Sequence, residues 1–212
     1  MKALTARHEI RSYLRSTTRV RVNVGCGANV LDGWLNTDLY PRPGIVQMDA
    51  ARPWPLPPGS VHAVHCEHMI EHVPKPMARQ ILEEAWRSLA PGGVVRVVTP
   101  DMAAFARFAL GLDNDALSEY KSGFTKFFDL PEEPSTCDIV NQIYYGHGHR
   151  YIYLPEELTA MLADVGFEDM QLMRGGEYAS QETEGIDGHP KVLGARINAI
   201  EAFAIEARKP TR

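Results

Sequence analysis

The chain has 212 residues, 44% of them hydrophobic and 23% charged, with a formal net charge of -5. That length suits one domain able to bury about 70% of its unfolded surface. The acidic balance argues against a nucleic-acid partner, and the odd, widely spaced set of Cys26, Cys66 and Cys137 makes no disulfide framework. No run of about 18 apolar residues is present to cross a membrane, and Arg7 and Glu9 stand where a secretory leader would be apolar, so a cytoplasmic protein is expected.

Arg7, Arg11, Arg15 and Arg19 recur every four residues and predict a helix over 1–19 with a basic stripe. The stripe reads as a solvated face, with contact to an anionic substrate or to a second copy in a homodimer left open. Val20 to Val24 is rich in β-branched residues and runs into Gly25-Cys26-Gly27, a buried strand ending in a tight turn. Short strands are predicted at Leu35 to Leu39 and Ile45 to Met48. The proline-rich stretch from Pro53 to Gly59 must then be a surface connection before a strand at Val61 to Cys66. Met77, Ile81, Leu82, Ala85, Trp86 and Leu89 repeat at three and four, an amphipathic helix stopped by Pro91-Gly92-Gly93. Val94 to Thr99 is again a strand.

Met102 to Leu112 looks helical, whereas Asp113 to His149 follows no one period, so residues 102–150 read as a functional insertion such as a lid. Pro155-Glu156-Glu157 suits a helix start and Val165-Gly166 its stop. Strands near Glu168 to Met173 and Ala202 to Ala207 complete the series. Strands alternating with helices need crossover connections. The expected fold is therefore a single α/β domain over 1–212, doubly wound, with a mainly parallel seven-stranded sheet, helices on both faces and an insertion after the fifth strand.

Gly25 and Gly27 follow a buried strand, where backbone without a Cβ can approach a ligand closely. Asp38 ends the next strand, where a carboxylate can accept both hydroxyls of a ribose, and Asp49 follows the third, well placed to hold an adenine. A nucleotide-like ligand is implied. A dinucleotide fingerprint would add a third glycine where Val30 stands and would set its acid about 20 residues on. Here 13 positions separate Gly25 from Asp38, so any helix between them is stunted and a pyrophosphate seat at its N-terminus is poorly supported.

The runs Val22-Asn23-Val24-Gly25-Cys26-Gly27, Gly33-Trp34-Leu35-Asn36-Thr37-Asp38, Met48-Asp49-Ala50, Glu67 to Val73 and Leu89-Ala90-Pro91-Gly92-Gly93 resemble class I S-adenosylmethionine-dependent methyltransferases, in that family's order. The likeness spans residues 20–101, returns over Tyr151 to Phe167, and is nearest to the small type 11-like subgroup with its short first connection. It implies that Gly25, Cys26 and Gly27 touch the methionine part of the cofactor, Asp38 the ribose and Asp49 the adenine. Glu67 and His68 would border the transferred methyl, and Asn23, Leu39 and Ala50 complete the implied cofactor set. Because this sulfonium cofactor carries no phosphate, it needs no helix-dipole anion site.

Methyl transfer from a sulfonium is an in-line displacement, for which the protein mainly aligns the partners and excludes water. A hydroxyl or amine acceptor benefits from a base, and histidine is the natural one near neutral pH. His68, Glu71 and His72 fall at i, i+3 and i+4, one face of a helix if the segment is helical. They read as a hydrogen-bonded set or a substrate edge; the same spacing could ligate a metal with His65 or Cys66, but no metal is expected. Tyr144 to Tyr151 sets glycines between titratable groups and reads as a lid edge, with His149 the leading base and Tyr145 a positioning group. Cys26 reads as a packing residue. The expected function is methyl transfer, favouring oxygen, to a small hydroxylated acceptor such as a sugar or secondary metabolite. A nicotinamide-dependent oxidoreductase and a non-catalytic binding subunit of the same fold stand as alternatives.

Overall fold

The computed structural model describes residues 2–124 and 131–211. Strands β1 (Arg21–Val24), β2 (Leu35–Asp38), β3 (Val46–Gln47), β4 (Val61–Glu67), β5 (Leu89–Pro100), β6 (Glu168–Arg174) and β7 (Ala202–Arg208) form one sheet in the order β3-β2-β1-β4-β5-β7-β6. Neighbours from β3 to β5 pair in parallel, while β7 runs antiparallel to both β5 and β6. Each strand lies where the sequence predicts it. The largest shift is β5, which starts at Leu89, directly where the preceding helix ends, instead of beyond Gly93.

Alternation along the strands divides the sheet into two unlike faces. Val22, Val24, Val64, Cys66, Val95, Val97 and Ile205 face one way and pack against α1 (Lys2–Ser16), α2 (Lys75–Ser88) and α6 (Pro155–Val165). Ile81, Leu82, Leu158 and Leu162 lose nearly all their exposure there, and each such side chain contributes about 1.5–3 kcal/mol on burial. Helix α6 starts with Pro155 in its first turn and stops at Gly166, whose φ of 108° is the left-handed cap the sequence predicts.

The opposite face is polar and buried. Register sets Asn36, Asn23, His65, Arg96 and Glu206 side by side across β2, β1, β4, β5 and β7, and each is at most 5% exposed. What covers this row is residues 175–194, which include helix α7 (His189–Leu193). Asp187 in this strap accepts from Arg96 Nε at 2.9 Å and Nη2 at 2.5 Å and meets His65 Nε2 at 3.1 Å. Glu206 accepts from Arg96 Nη1 at 3.0 Å and from Thr183 Oγ1 at 2.7 Å, and Tyr178 lies 4.3 Å below the guanidinium. Burial alone would raise the Asp187 pKa, but its hydrogen bonds from His65 and Arg96 hold it well below the usual carboxylate range.

Between β1 and β2, residues 25–34 form turns with no helix, so the stunted first helix of the sequence reading is absent altogether. The described residues of the insertion after β5 form α3 (Met102–Ala109), α4 (Asn114–Phe124), α5 (Thr136–Asn141) and a π-turn at Gln142–Gly146. Its residues 125–130 lie outside the described residues. Phe105, Phe108, Tyr120, Ile139 and Ile143 pack with Ile197 of α8 (Ala195–Glu201) as a second apolar cluster. Of the aromatic residues in the aperiodic stretch, Tyr120 lies in this cluster's core and Tyr144 packs against it.

Candidate active site

The chain turns sharply at the end of β4, and the site is built around that turn. His68 N–H donates to Val98 O as the last rung of the sheet, and His68 then takes a φ of 45°. That left-handed conformation is uncommon for a residue with a Cβ. It is followed by one 3-10 turn, Ile70–His72, in place of the helix on which His68, Glu71 and His72 would share a face. The Glu71 carbonyl accepts from the N–H groups of Arg150 and Tyr151, at 2.7 and 3.1 Å, and so ties the end of the insertion to this turn.

Three cavities meet at His68. The first, about 410 Å³, is lined by Gly25, Gly27, Asp38, Leu39, Asp49 and Ala50, with His68, Met69 and His72 at its inner end. This is within the range of about 300–1,000 Å³ usual for ligand pockets. A Cβ on Gly27, at φ 52°, would meet nothing within 4 Å, whereas one on Gly25, at φ 63°, would lie 2.2 Å from Met69 Cγ. Gly27 therefore borders open space, and Gly25 admits Met69. Asp38 Oδ2 accepts the Gly27 N–H at 3.0 Å and Oδ1 the Tyr40 N–H at 2.9 Å, which fixes the carboxylate at the rim with lone pairs to spare. Asp49 Oδ1 accepts the Ala51 N–H at 3.1 Å.

The second cavity, about 310 Å³, is lined by His68, His72, His147, His149, His189 and Glu201, with Pro100 and Ile143 among its apolar walls. His68 stacks on His189 with ring centres 3.6 Å apart, and its Nδ1 lies 3.3 Å from the buried Glu71 Oε1. Burial pulls the His68 pKa down, but the Glu71 carboxylate more than offsets it and the net displacement is upward. Burial in turn pushes Glu71 up, and His68 holds it below its ordinary value. Burial lowers His149, takes His147 down to about 4 and His189 to about 3, and raises Glu201, which accepts from Tyr120 Oη at 2.8 Å. The third cavity, about 340 Å³, lies between Cys26, Gly27, Asn29 and Glu67 on one side and Gly188 and His189 on the other.

The structure thus brings Gly25, Gly27, Asp38, Leu39, Asp49, Ala50 and His68 to one cleft, and His149 to the neighbouring one. It corrects three expectations. Asn23 faces away from the cleft, with Nδ2 donating to Asn29 O and Asn36 Oδ1 and Oδ1 facing His65 Nδ1. Tyr145 is 76% exposed on the π-turn, and the half-buried Tyr144 packs inward against the second apolar cluster instead. Glu67 accepts the Gly188 and His189 N–H groups and Asn29 Nδ2, so its carboxylate anchors the strap. Burial raises the Cys26 thiol to about 11, which suits a packing role. His189 and Glu201 escaped the sequence reading, and His72 and His147 were read only within their own segments, because the four come from separate parts of the chain. The signal that existed was the number of histidines following β4 and closing the insertion.

Among the described residues no helix is long and apolar enough to cross a membrane. Residues 34–97 match a family model described as a methyltransferase domain. A SAM-dependent methyltransferase of Archaeoglobus fulgidus is 16% identical, with 99% of this chain and 95% of that one covered and a TM-score of 0.53. A SAM-dependent methyltransferase of Thermotoga maritima is 21% identical over 97% and 91%, with a TM-score of 0.51. The N-methyltransferase NodS of Bradyrhizobium japonicum, solved with S-adenosylhomocysteine, is 10% identical over 98% and 87%, with a TM-score of 0.50. No curated protein matches the sequence significantly. At these identities the solved structures speak for the fold. The matched domain spans β2 through most of β5, where the cleft is built, and no helix N-terminus stands there to seat a pyrophosphate. The chain thus carries a methyltransferase domain over residues 34–97 and shares its fold, along nearly its whole length, with S-adenosylmethionine-dependent methyltransferases.

Proposed function

We propose that the enzyme methylates an oxygen of a small hydroxylated acceptor, a sugar or secondary metabolite, bound in the histidine-lined cavity. The observation that carries this reading is that His68 and His72 line both that cavity and the cleft holding Gly27, Asp38 and Asp49. A space of about 310 Å³ suits a small molecule, and its several neutral imidazoles suit hydroxyl groups as donors and acceptors.

The residues of the cleft fit S-adenosylmethionine: open space over Gly27, carboxylates at Asp38 and Asp49 for hydroxyl and amine groups, and no anion site. Bound there, the cofactor supplies an electrophilic methyl group. His68 is then the base that takes the acceptor proton, because it borders both cavities while His149 borders only the acceptor's. Glu71 orients it: with Nδ1–H directed to the carboxylate, Nε2 is the free basic nitrogen. Pro100, Ile143 and the strap limit water around the acceptor. Glu201 on the same wall favours a second reading, an amine acceptor whose cation it would meet.

The test is turnover with cofactor carrying a ¹³C-methyl group over a panel of small sugars, phenols and amines, the product methyl being assigned to oxygen or nitrogen by NMR. Label on oxygen supports the proposal, and label only on nitrogen replaces it with the second reading. His68→Gln should lower kcat by about 10²–10⁴-fold with KM for the cofactor little changed.

A further inference from the structure

Glu71, His72 and His149 come from the turn after β4 and from the end of the insertion, yet one ligand atom of each lies within 4.8 Å of the other two. An equilateral triangle of that edge has a circumradius of about 2.8 Å, against zinc–ligand distances of about 2.0–2.2 Å, so side-chain shifts of roughly half an ångström close it. Two further observations point to an ion. Glu71 is fully buried, and beyond the long 3.3 Å approach of His68 Nδ1 its Oε1 makes no hydrogen bond, which leaves a lone pair there unused. His149 Nδ1 lies 2.5 Å from the Ile143 carbonyl, which fixes the proton on Nδ1 and leaves Nε2 as a lone-pair donor. A second ring nitrogen anchored on a backbone carbonyl is the usual support of a metal-bound histidine.

We propose that Glu71, His72 and His149 bind one divalent first-row transition ion of the zinc type, with open positions facing the histidine-lined cavity. Two imidazoles and a carboxylate are the donor set for such ions, and three protein ligands leave room for a further oxygen. The sequence reading weighed a metal on His68, Glu71 and His72 of one helix face with His65 or Cys66 and expected none; the set proposed here is a different one, assembled without that helix. Resting on the acceptor-pocket reading above, the inference gives the ion a role: an acceptor hydroxyl on an open position would be polarised beside His68, which lines the same cavity.

The experiment is titration of chelator-stripped protein with Co²⁺, followed by visible absorption and by calorimetry, with Zn²⁺ as competitor. One Co²⁺ per chain, displaced by Zn²⁺, is the expected result. His72→Ala and His149→Ala should each weaken it roughly 10–100-fold or more, while His8→Ala on the exposed side of α1 leaves it unchanged. Absence of stoichiometric binding, or binding that survives the His72→Ala/His149→Ala double change through other histidines, overturns the inference. Circular dichroism confirms that the variants fold. Cofactor binding by the same metal-free protein reports the methyltransferase reading separately.

Discussion

Gly25 and Gly27 look alike in the sequence and do different work. Both hold positive φ, which costs a residue with a Cβ about 1–2 kcal/mol. At Gly27 that is all an added methyl would meet in the ligand-free protein, since nothing lies within 4 Å. At Gly25 the methyl would also run into Met69 Cγ, an overpacking of about 1–3 kcal/mol more. Gly25→Ala should therefore lower stability by about 2–5 kcal/mol and Gly27→Ala by about 1–2, read from urea unfolding. Equal losses would show that Met69 moves aside freely. The two should reverse in cofactor binding per unit of stability lost, because both line the cleft but only at Gly27 would the added methyl enter its open space.

The strap of residues 175–194 is the element that the sequence reading lacked, and it is held by the carboxylates of Asp187, Glu67 and Glu206. Removing one partner of a buried pair leaves the other charge uncompensated, at about 3–5 kcal/mol. Asp187→Asn, which keeps shape and removes one of the two carboxylates that meet Arg96, should cost less than that, about 1.5–3 kcal/mol in urea unfolding, because Glu206 still accepts from Arg96 Nη1. Acid acts on the same element through two groups. His189 is held neutral, with its pKa down at about 3, while the unfolded chain takes up that proton near pH 6.5; its contribution is full above that pH and declines below it. Asp187 is also depressed, so its contribution is present above about pH 4 and is lost as pH falls further. Amide exchange at Gly188 and His189, whose N–H groups donate to Glu67, should accelerate between pH 7 and 4.5 once corrected for intrinsic rates. Unchanged protection over that range would detach the strap from the His189 titration. The strap was hard to read because neither period marks it. Its trace in the sequence is indirect: Asn23, His65, Arg96 and Glu206 interrupt otherwise apolar strands, and a polar row inside a sheet requires a polar cover.

At the scale of the whole molecule, strands and long helices were legible because buried β-branched runs and a 3.6-residue stripe are local signals. The meeting of Gly25, Gly27, Asp38 and Asp49 in the candidate cleft was legible for the same reason, since each follows a strand whose place in a parallel sheet is fixed. The acceptor side was not, because His72, His149, His189 and Glu201 meet only through the insertion and strap, and no spacing encodes that meeting. Ligand linkage joins the two sides of the molecule in one measurement. A ligand that binds only the native state stabilises it by about 2.7 kcal/mol at one hundred times its Kd. For a chain of this length each kcal/mol raises Tm by about 2–4 °C, so saturating S-adenosylmethionine should raise it by roughly 5–10 °C. NAD should leave it unmoved, since the turns of residues 25–34 offer no helix N-terminus to a pyrophosphate. With Asp38 as the proposed ribose acceptor, Asp38→Ala removes that acceptor and the Gly27 N–H loses its tether, a weakening of about 1–3 kcal/mol that should shrink the Tm shift at fixed cofactor concentration. An equal shift in wild type and Asp38→Ala would move the ribose site elsewhere, and a shift with NAD alone would return the cleft to the oxidoreductase reading.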